Sequence, residues 1–194
     1  MLTSVIATEF APLGEQQKEM VYKRLTILPH RMNALKECWT VFYDALSSLL
    51  MIRFNPKMKV IELKGQDELL LNKVRDVIKA FNAGFPMEDA LLMVRMDDMY
   101  LFSFHIKDVK TLNGEHFSRC VGRICGHQGK TKHAIENMTK TRIVVVNGKI
   151  HILGQHNNMQ VAKRAICDLI LGRTAGRVYN SVRVISTAIK SKGL

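Results

Sequence analysis

Two glycines and two lysines carry the most specific chemistry in the sequence. In "CVGRICGHQGKTKHAIENMTKTRIVVV", residues 120–146, Gly126 and Gly129 stand three apart inside a stretch otherwise patterned as helix, and Lys130 and Lys132 follow the break. Glycine lets a backbone approach a ligand closely and adopt conformations closed to other residues. A helix that restarts immediately afterwards presents unpaired amides to an anion. Phosphate is therefore the group these residue types ask for, either in a nucleotide held by a P-loop or in the sugar-phosphate chain of a nucleic acid.

The P-loop fails on spacing. Gly129-Lys130-Thr131 matches the end of a Walker A motif, but that motif needs a glycine five positions before the last one, where this sequence has Ile124. A P-loop also follows a buried strand directly, whereas Arg119, Val121, Arg123 and Ile124 precede this break in a helical setting. No later strand ends in an acid suited to magnesium.

Other chemistries find less support. Cys38, Cys120, Cys125 and Cys167 form no CxxC pair and read as small apolar residues, so neither zinc nor a disulfide is expected. The histidines are dispersed, and His151, alternating with apolar neighbours in "KIHILG", is expected on the polar face of a strand. Glu88, Asp89, Asp97 and Asp98 suggest a metal-dependent nuclease, but a two-metal site needs several convergent carboxylates. The half with the glycine break offers only Asp108, Glu115, Glu136 and Asp168, widely spread. No catalytic residue, metal or cofactor is expected.

Charge points to the partner. Residues 1–99 hold 13 Lys and Arg against 13 Asp and Glu, whereas residues 100–194 hold 16 against 4, so the whole formal excess of +12 lies in the half with the break. Such a patch suits a polyanion, and nucleic acid is expected before acidic lipid, with a merely solvated basic face as the bland alternative. No segment approaches the roughly 18 to 20 apolar residues of a membrane helix. The start, "MLTSVIATEFAPLG", lacks a basic flank and does not read as a secretory signal.

The elements that must position the break repeat. Residues 22–28 read as a strand, Pro29 opens a helix to about Leu49, and "MIRF" and "KVIELKG" are strands before a helix closed by Gly84. Pro86 starts a short helix whose Ala90, Leu91 and Val94 stripe is expected to bridge two domains. The second half runs through a strand "YLFSFHIKDV", helices on either side of the break, and strands "TRIVVV" and "KIHILG" joined at Asn147-Gly148. A last helix follows, with an N-cap expected at Asn157 or Asn158 and a stop at Gly172. Strand, helix, strand, strand, helix thus occurs twice, an internal duplication. No glycine lies between Gly14 and Gly65, so the first copy cannot contain the break.

Ile124-Cys125-Gly126-x-x-Gly129, followed by Ile135, Thr139 and Ile143, resembles the signature of KH domains, whose two helices meet at a GxxG loop. The resemblance implies an α+β chain of two tandem KH-type domains. Each is a three-stranded antiparallel sheet packed on one side by helices, in the type I order β-α-α-β-β-α. The segments would be 1–20 N-terminal, 21–85 a degenerate KH domain without GxxG, 86–98 the bridging helix, and 99–194 a KH domain with the loop and a C-terminal tail. Such a groove clamps about four unpaired nucleotides, backbone against GxxG and bases on an apolar floor. Here the floor would come from the second helix and the alternating face of "TRIVVV". The RNA-binding residues would be Arg123, Gly126, His127, Gln128, Gly129, Lys130, Lys132, Lys140 and Arg142. Lys132 departs from the signature, where an apolar residue is usual, and His127-Gln128 is less basic than many such loops. Replacing both glycines by Asp is expected to leave the fold largely intact and weaken RNA binding.

With "PHRMNALKECW", "IRFNPK", "KAFNAGFPMEDALLMVRMDD" and "GRVYNSVRVIS", the chain over residues 20–190 resembles the partner-of-NOB family of small-subunit ribosome assembly factors, in its eukaryotic type without GxxG in the first domain. The stretch before residue 20 is shorter than the charged extension of many members. The resemblance implies a non-catalytic RNA-binding factor that holds the 3′ region of the small-subunit rRNA precursor. Implied partners are that RNA, the PIN-domain endonuclease of 3′-end maturation, and other pre-ribosomal factors and ribosomal proteins, with no membrane. Implied locations are the nucleus and nucleolus, and cytoplasmic pre-ribosomal particles. A KH protein acting on messenger or other single-stranded RNA is the alternative.

Overall fold

The computed structural model describes residues 20–191; the N-terminal stretch read above, through residue 19, and residues 192–194 lie outside the described residues. The first unit runs β1 (Val21–Thr26), a 3-10 turn (Pro29–Arg31), α1 (Met32–Leu46), β2 (Met51–Asn55), β3 (Val60–Gly65) and α2 (Glu68–Ala83). Pro29 occupies a first-turn position, where its missing N–H costs nothing. α1 is one unbroken helix, consistent with the absence of glycine there. It stops short of the expected Leu49, because the amides of Leu49 and Leu50 fold back onto the Leu46 carbonyl at 3.0 and 2.9 Å.

Gly84 closes α2 in the left-handed conformation, and Pro86 stands at the N-cap of α3, which spans Met87–Arg95. The second unit runs β4 (Met99–His105), a one-turn α4 (Ile106–Val109), α5 (Gly114–Cys125), α6 (Lys130–Thr139), β5 (Arg142–Val146), β6 (Lys149–Gln155), α7 (His156–Leu171) and α8 (Ala175–Ser191). Three expectations change. "YLFSFHIKDV" leaves the sheet at His105, because the Asp108 carboxylate accepts from the His105 N–H at 2.9 Å and winds Ile106–Val109 into a helical turn. Gln155, not Asn157 or Asn158, stands at the N-cap of α7, with no side-chain cap bond, so both asparagines fall inside the first turn. The tail is a helix, α8, whose Val178 and Val182 are buried against the second core.

Both sheets are antiparallel, in the orders β1-β3-β2 and β4-β6-β5. Each packs helices on one face: Phe42, Leu63, Val74 and Ile78 close the first core, and Ile124, Ile135, Ile152 and Ile166 the second. Their opposite faces differ. On the first sheet Tyr22 and Met51 stay exposed. On the second, Leu153 belongs to the first unit's core, with Met99, Leu101 and Val144 packed against it. β6 is consequently buried on both sides from Ile150 to Gly154. His151, expected on a polar face, is only 9% exposed, and its Nδ1 lies 2.7 Å from Ser103 Oγ on the neighbouring strand. The α3 stripe of Ala90, Leu91 and Val94 packs into this same cluster, which takes in Leu153, Met99, Leu101 and Val144 of the second unit.

Candidate nucleic-acid interface

The glycine break begins where α5 ends. Cys120 and Ile124 anchor that helix in the second core, and burial raises the Cys120 thiol pKa, so this sulfur is packing rather than a reactive group. Gly126 N–H donates to the Gly122 carbonyl at 2.8 Å, and its backbone then turns to φ 72°, ψ 178°, a conformation natural only to glycine. A 3-10 turn of His127–Gly129 follows, with Gln128 at φ 52° and Gly129 at φ 77°, before α6 opens at Lys130. No side chain caps α6; the Lys130 N–H turns back to the His127 carbonyl, and the helix dipole at this end suits an anion.

The two glycines have different reasons to be glycine. A Cβ on Gly126 would stand 2.8 Å from Thr131 Cβ and 2.9 Å from Thr131 N, so this residue is fixed by the tight packing of the loop onto the first turn of α6. A Cβ on Gly129 would meet only the edge of the exposed His133 ring, at 3.3 Å. Asp at both positions is therefore not equivalent: at Gly129 a side chain finds room but must accept the left-handed φ of 77°. At Gly126 the new side chain collides with backbone.

The expected contact residues divide by position. His127, Gln128 and Lys130 are exposed on the loop and helix start, and Lys140 is exposed at the far end of α6. Lys132 is half-buried, with Nζ 3.9 Å from Glu136 Oε1. Arg123 lies elsewhere: its guanidinium reaches to 3.2 Å from where a Cβ on Gly172 would sit, over the C-terminal end of α7, where a cation suits the helix dipole. Arg142 faces the first unit, its Nε 3.3 Å from the Asp89 carboxylate of α3.

The expected floor changes as well. Ile135 and Ile143 are core residues, while Val144 packs on the first unit, so both faces of β5 are occupied. What β5 leaves open is its outer edge, since it ends the sheet. At that edge the Ile143 N–H donates to Glu136 Oε1 at 2.7 Å. By the two-residue repeat of a strand, the polar backbone of Val145 faces the same way. The edge of β5 thus carries a backbone group at Val145 that β6 does not pair, while Glu136 occupies the one at Ile143.

Glu136, in the sequence one of four scattered acids with no metal site to join, has a structural part instead. Only 4% exposed, it accepts from Ile143 N–H with one oxygen and pairs with His133 Nδ1 at 2.8 Å through the other. Its backbone carbonyl accepts from Thr141 N–H at 3.2 Å. It thereby ties α6 to β5, the two walls of the groove. The helical spacing to Lys132 and His133 was visible in the sequence; the backbone partner seven residues on was not.

Comparison with known proteins agrees with this geometry. Residues 103–187 match a family model described as a eukaryotic-type KH domain (KH-domain type I), that of the second such domain of PNO1 proteins. The pre-rRNA-processing protein PNO1 of Debaryomyces hansenii is 45% identical over 176 residues, 88% of this chain and 69% of the relative. The RNA-binding protein pno1 of Drosophila melanogaster is 41% identical over 188 residues, 94% and 78% of the two chains. Among solved structures, a protein of unknown function from Aeropyrum pernix superposes with a TM-score of 0.74 at 27% identity, covering 91% of this chain and 95% of its own. Dim2p from Pyrococcus horikoshii shares the fold, with a TM-score of 0.69 at 24% identity over 84% of this chain and 98% of its own. With the GxxG loop standing between α5 and α6 and identity extending across most of both chains, this protein belongs to the PNO1 family.

Proposed function

We propose that the chain is a non-catalytic RNA-binding factor of small-subunit ribosome assembly that holds the 3′ region of the rRNA precursor and cooperates with the PIN-domain endonuclease of 3′-end maturation. The coarser part follows from kinship: the relatives are named pre-rRNA-processing and RNA-binding proteins. The observation that carries the RNA site is the loop from Gly126 to Gly129, which opens onto an uncapped helix start in the basic half of the chain. Phosphates would lie against the loop and the α6 amides, with Lys130 and Lys132 beside them, and unpaired bases would reach the edge of β5. Arg142 and Arg123 would act indirectly, by holding β5 to the first unit and α5 to α7. The first unit with α3, which has no glycine break and only 12 Lys and Arg against 10 Asp and Glu over residues 20–98, would serve as a docking platform for protein or rRNA.

The test is binding of single-stranded RNA from the 3′ end of small-subunit rRNA across a salt series, with wild type, Gly129→Asn and Gly129→Asp. Asn tolerates the left-handed conformation, so Gly129→Asn should retain most affinity, whereas Gly129→Asp sets a carboxylate against phosphate and should lose it. Removing one lysine contact, Lys130→Ala, should lower the salt slope by about 0.7. Equal affinity in all variants would place the RNA elsewhere. Co-sedimentation with pre-ribosomal particles separates this role from that of a messenger-RNA-binding KH protein and tests the nucleolar and cytoplasmic particle setting.

A further inference from the structure

The seam between the units contains a cleft of about 620 Å³. That size lies in the usual range for small-molecule sites, roughly 300–1,000 Å³. Its walls come from both units: Lys79 and Asn82 on α2, His30 after β1, and Ser103, Lys149 and His151 on β4 and β6. No lining side chain is a carboxylate. Lys149 makes no ion pair among the described residues, while Lys79 shares its charge with Asp76 at 3.0 Å.

Polar and apolar groups converge here in a pattern suited to one kind of ligand. His151 is held by Ser103 through Nδ1; its other ring nitrogen has no partner among the described residues yet is not sealed from solvent, so it opens onto the cleft. Leu28 and Val146 remain about 40% exposed at the cleft, at 42% and 41%, and Ala83 and Leu101 add further apolar lining. A flat heteroaromatic ring would cover that strip, with its polar edge toward Asn147 or His151 and an attached phosphate between the two lysines. β5 connects the regions: its edge flanks the loop groove, and its last residue, Val146, lines the cleft.

We propose that this inter-unit cleft is a second nucleotide-binding site, distinct from the GxxG groove, which takes one unpaired nucleotide, either free or as a residue of an RNA strand. The assignment stands on the cleft itself and does not require the loop to bind RNA.

The experiment is two-dimensional NMR of the isotope-labelled full chain, titrated with adenosine and uridine 5′-monophosphate, with inorganic phosphate, and with a single-stranded oligonucleotide. Expected are saturable shifts of the Lys79, Ser103, Lys149 and His151 signals with a monophosphate or with the oligonucleotide. These should weaken about tenfold or more in the exposed pair Lys79→Ala/Lys149→Ala and persist in Gly129→Asp. A response to the oligonucleotide alone assigns the site to an RNA residue; a response to the monophosphates assigns it to nucleotides in general. Absence of any shift overturns the proposal, as does inorganic phosphate binding as tightly as a nucleotide. So do shifts unaffected by the lysine substitutions, or shifts abolished by Gly129→Asp, which would make the cleft a reporter of the groove. Loss of RNA binding in Gly129→Asp with cleft shifts retained would separate the two sites.

Discussion

Two buried titratable side chains set the properties of the second unit at the level of single residues. Glu136 receives a backbone N–H that has no other acceptor, so truncation should cost more than loss of an average hydrogen bond. Glu136→Ala is expected to destabilise the chain by about 1–3 kcal/mol, and Glu136→Gln by less because its amide oxygen still accepts from Ile143, as chemical denaturation would measure. His151 makes a pH prediction. Burial, followed by the nearby Lys149 charge, lowers its pKa below the usual 6.5. The neutral ring is therefore favoured in the folded chain and the unfolded chain binds the proton first. Stability should be complete above pH 6.5 and decline as pH falls from there toward the depressed folded value. A pH series of unfolding midpoints, with His151→Gln losing that part of the decline, checks it.

The elements were legible in the sequence wherever periodicity and punctuation agreed. Gly84 and Gly172 stop their helices in the left-handed conformation as expected, and Asn147-Gly148 makes the tight turn between β5 and β6. What escaped depended on partners distant in the chain or on local competition. His105 and Asp108 replaced the end of a strand with a helical turn, and α8 was hidden because its buried side, Val178 and Val182, has meaning only once α7 is in place. The candidate loop was readable from two glycines and two lysines. That Gly126 serves packing as well as ligand approach was not, since Thr131 closes on it only in three dimensions. Gly126→Ala should therefore destabilise the chain measurably more than Gly129→Ala, which carries the left-handed penalty of roughly 1–2 kcal/mol alone. Paired thermal melts would show the difference. The Asp89–Arg142 pair connects α3 with β5 on a partly exposed surface, so Asp89→Ala should cost no more than about 1 kcal/mol. Any larger effect of that variant on RNA affinity would report the placement of β5.

For the whole molecule, the shared seam makes the units interdependent. Leu153 belongs by chain to the second unit and by packing to the first core. Leu153→Ala should cost about 2–5 kcal/mol, with both units melting in one transition in calorimetry. A fragment of residues 99–194 would uncover Leu153, Val144, Leu101 and Met99 together, and is expected to self-associate in sedimentation experiments where the full chain does not.

A weakly basic body, with 12 Lys and Arg against 10 Asp and Glu over residues 20–98, and a strongly basic one, joined through a buried seam, also form a permanent electric dipole. Near a polyanion such an object feels a torque as well as an attraction, so it turns its basic end inward before any contact forms. Orientation is then achieved during diffusion rather than by trial at the surface, and salt acts on the rate of productive encounter. Adding lysines to the first unit would raise the total charge while weakening that torque. Such a variant would bind RNA more tightly overall yet arrive more often wrong end first.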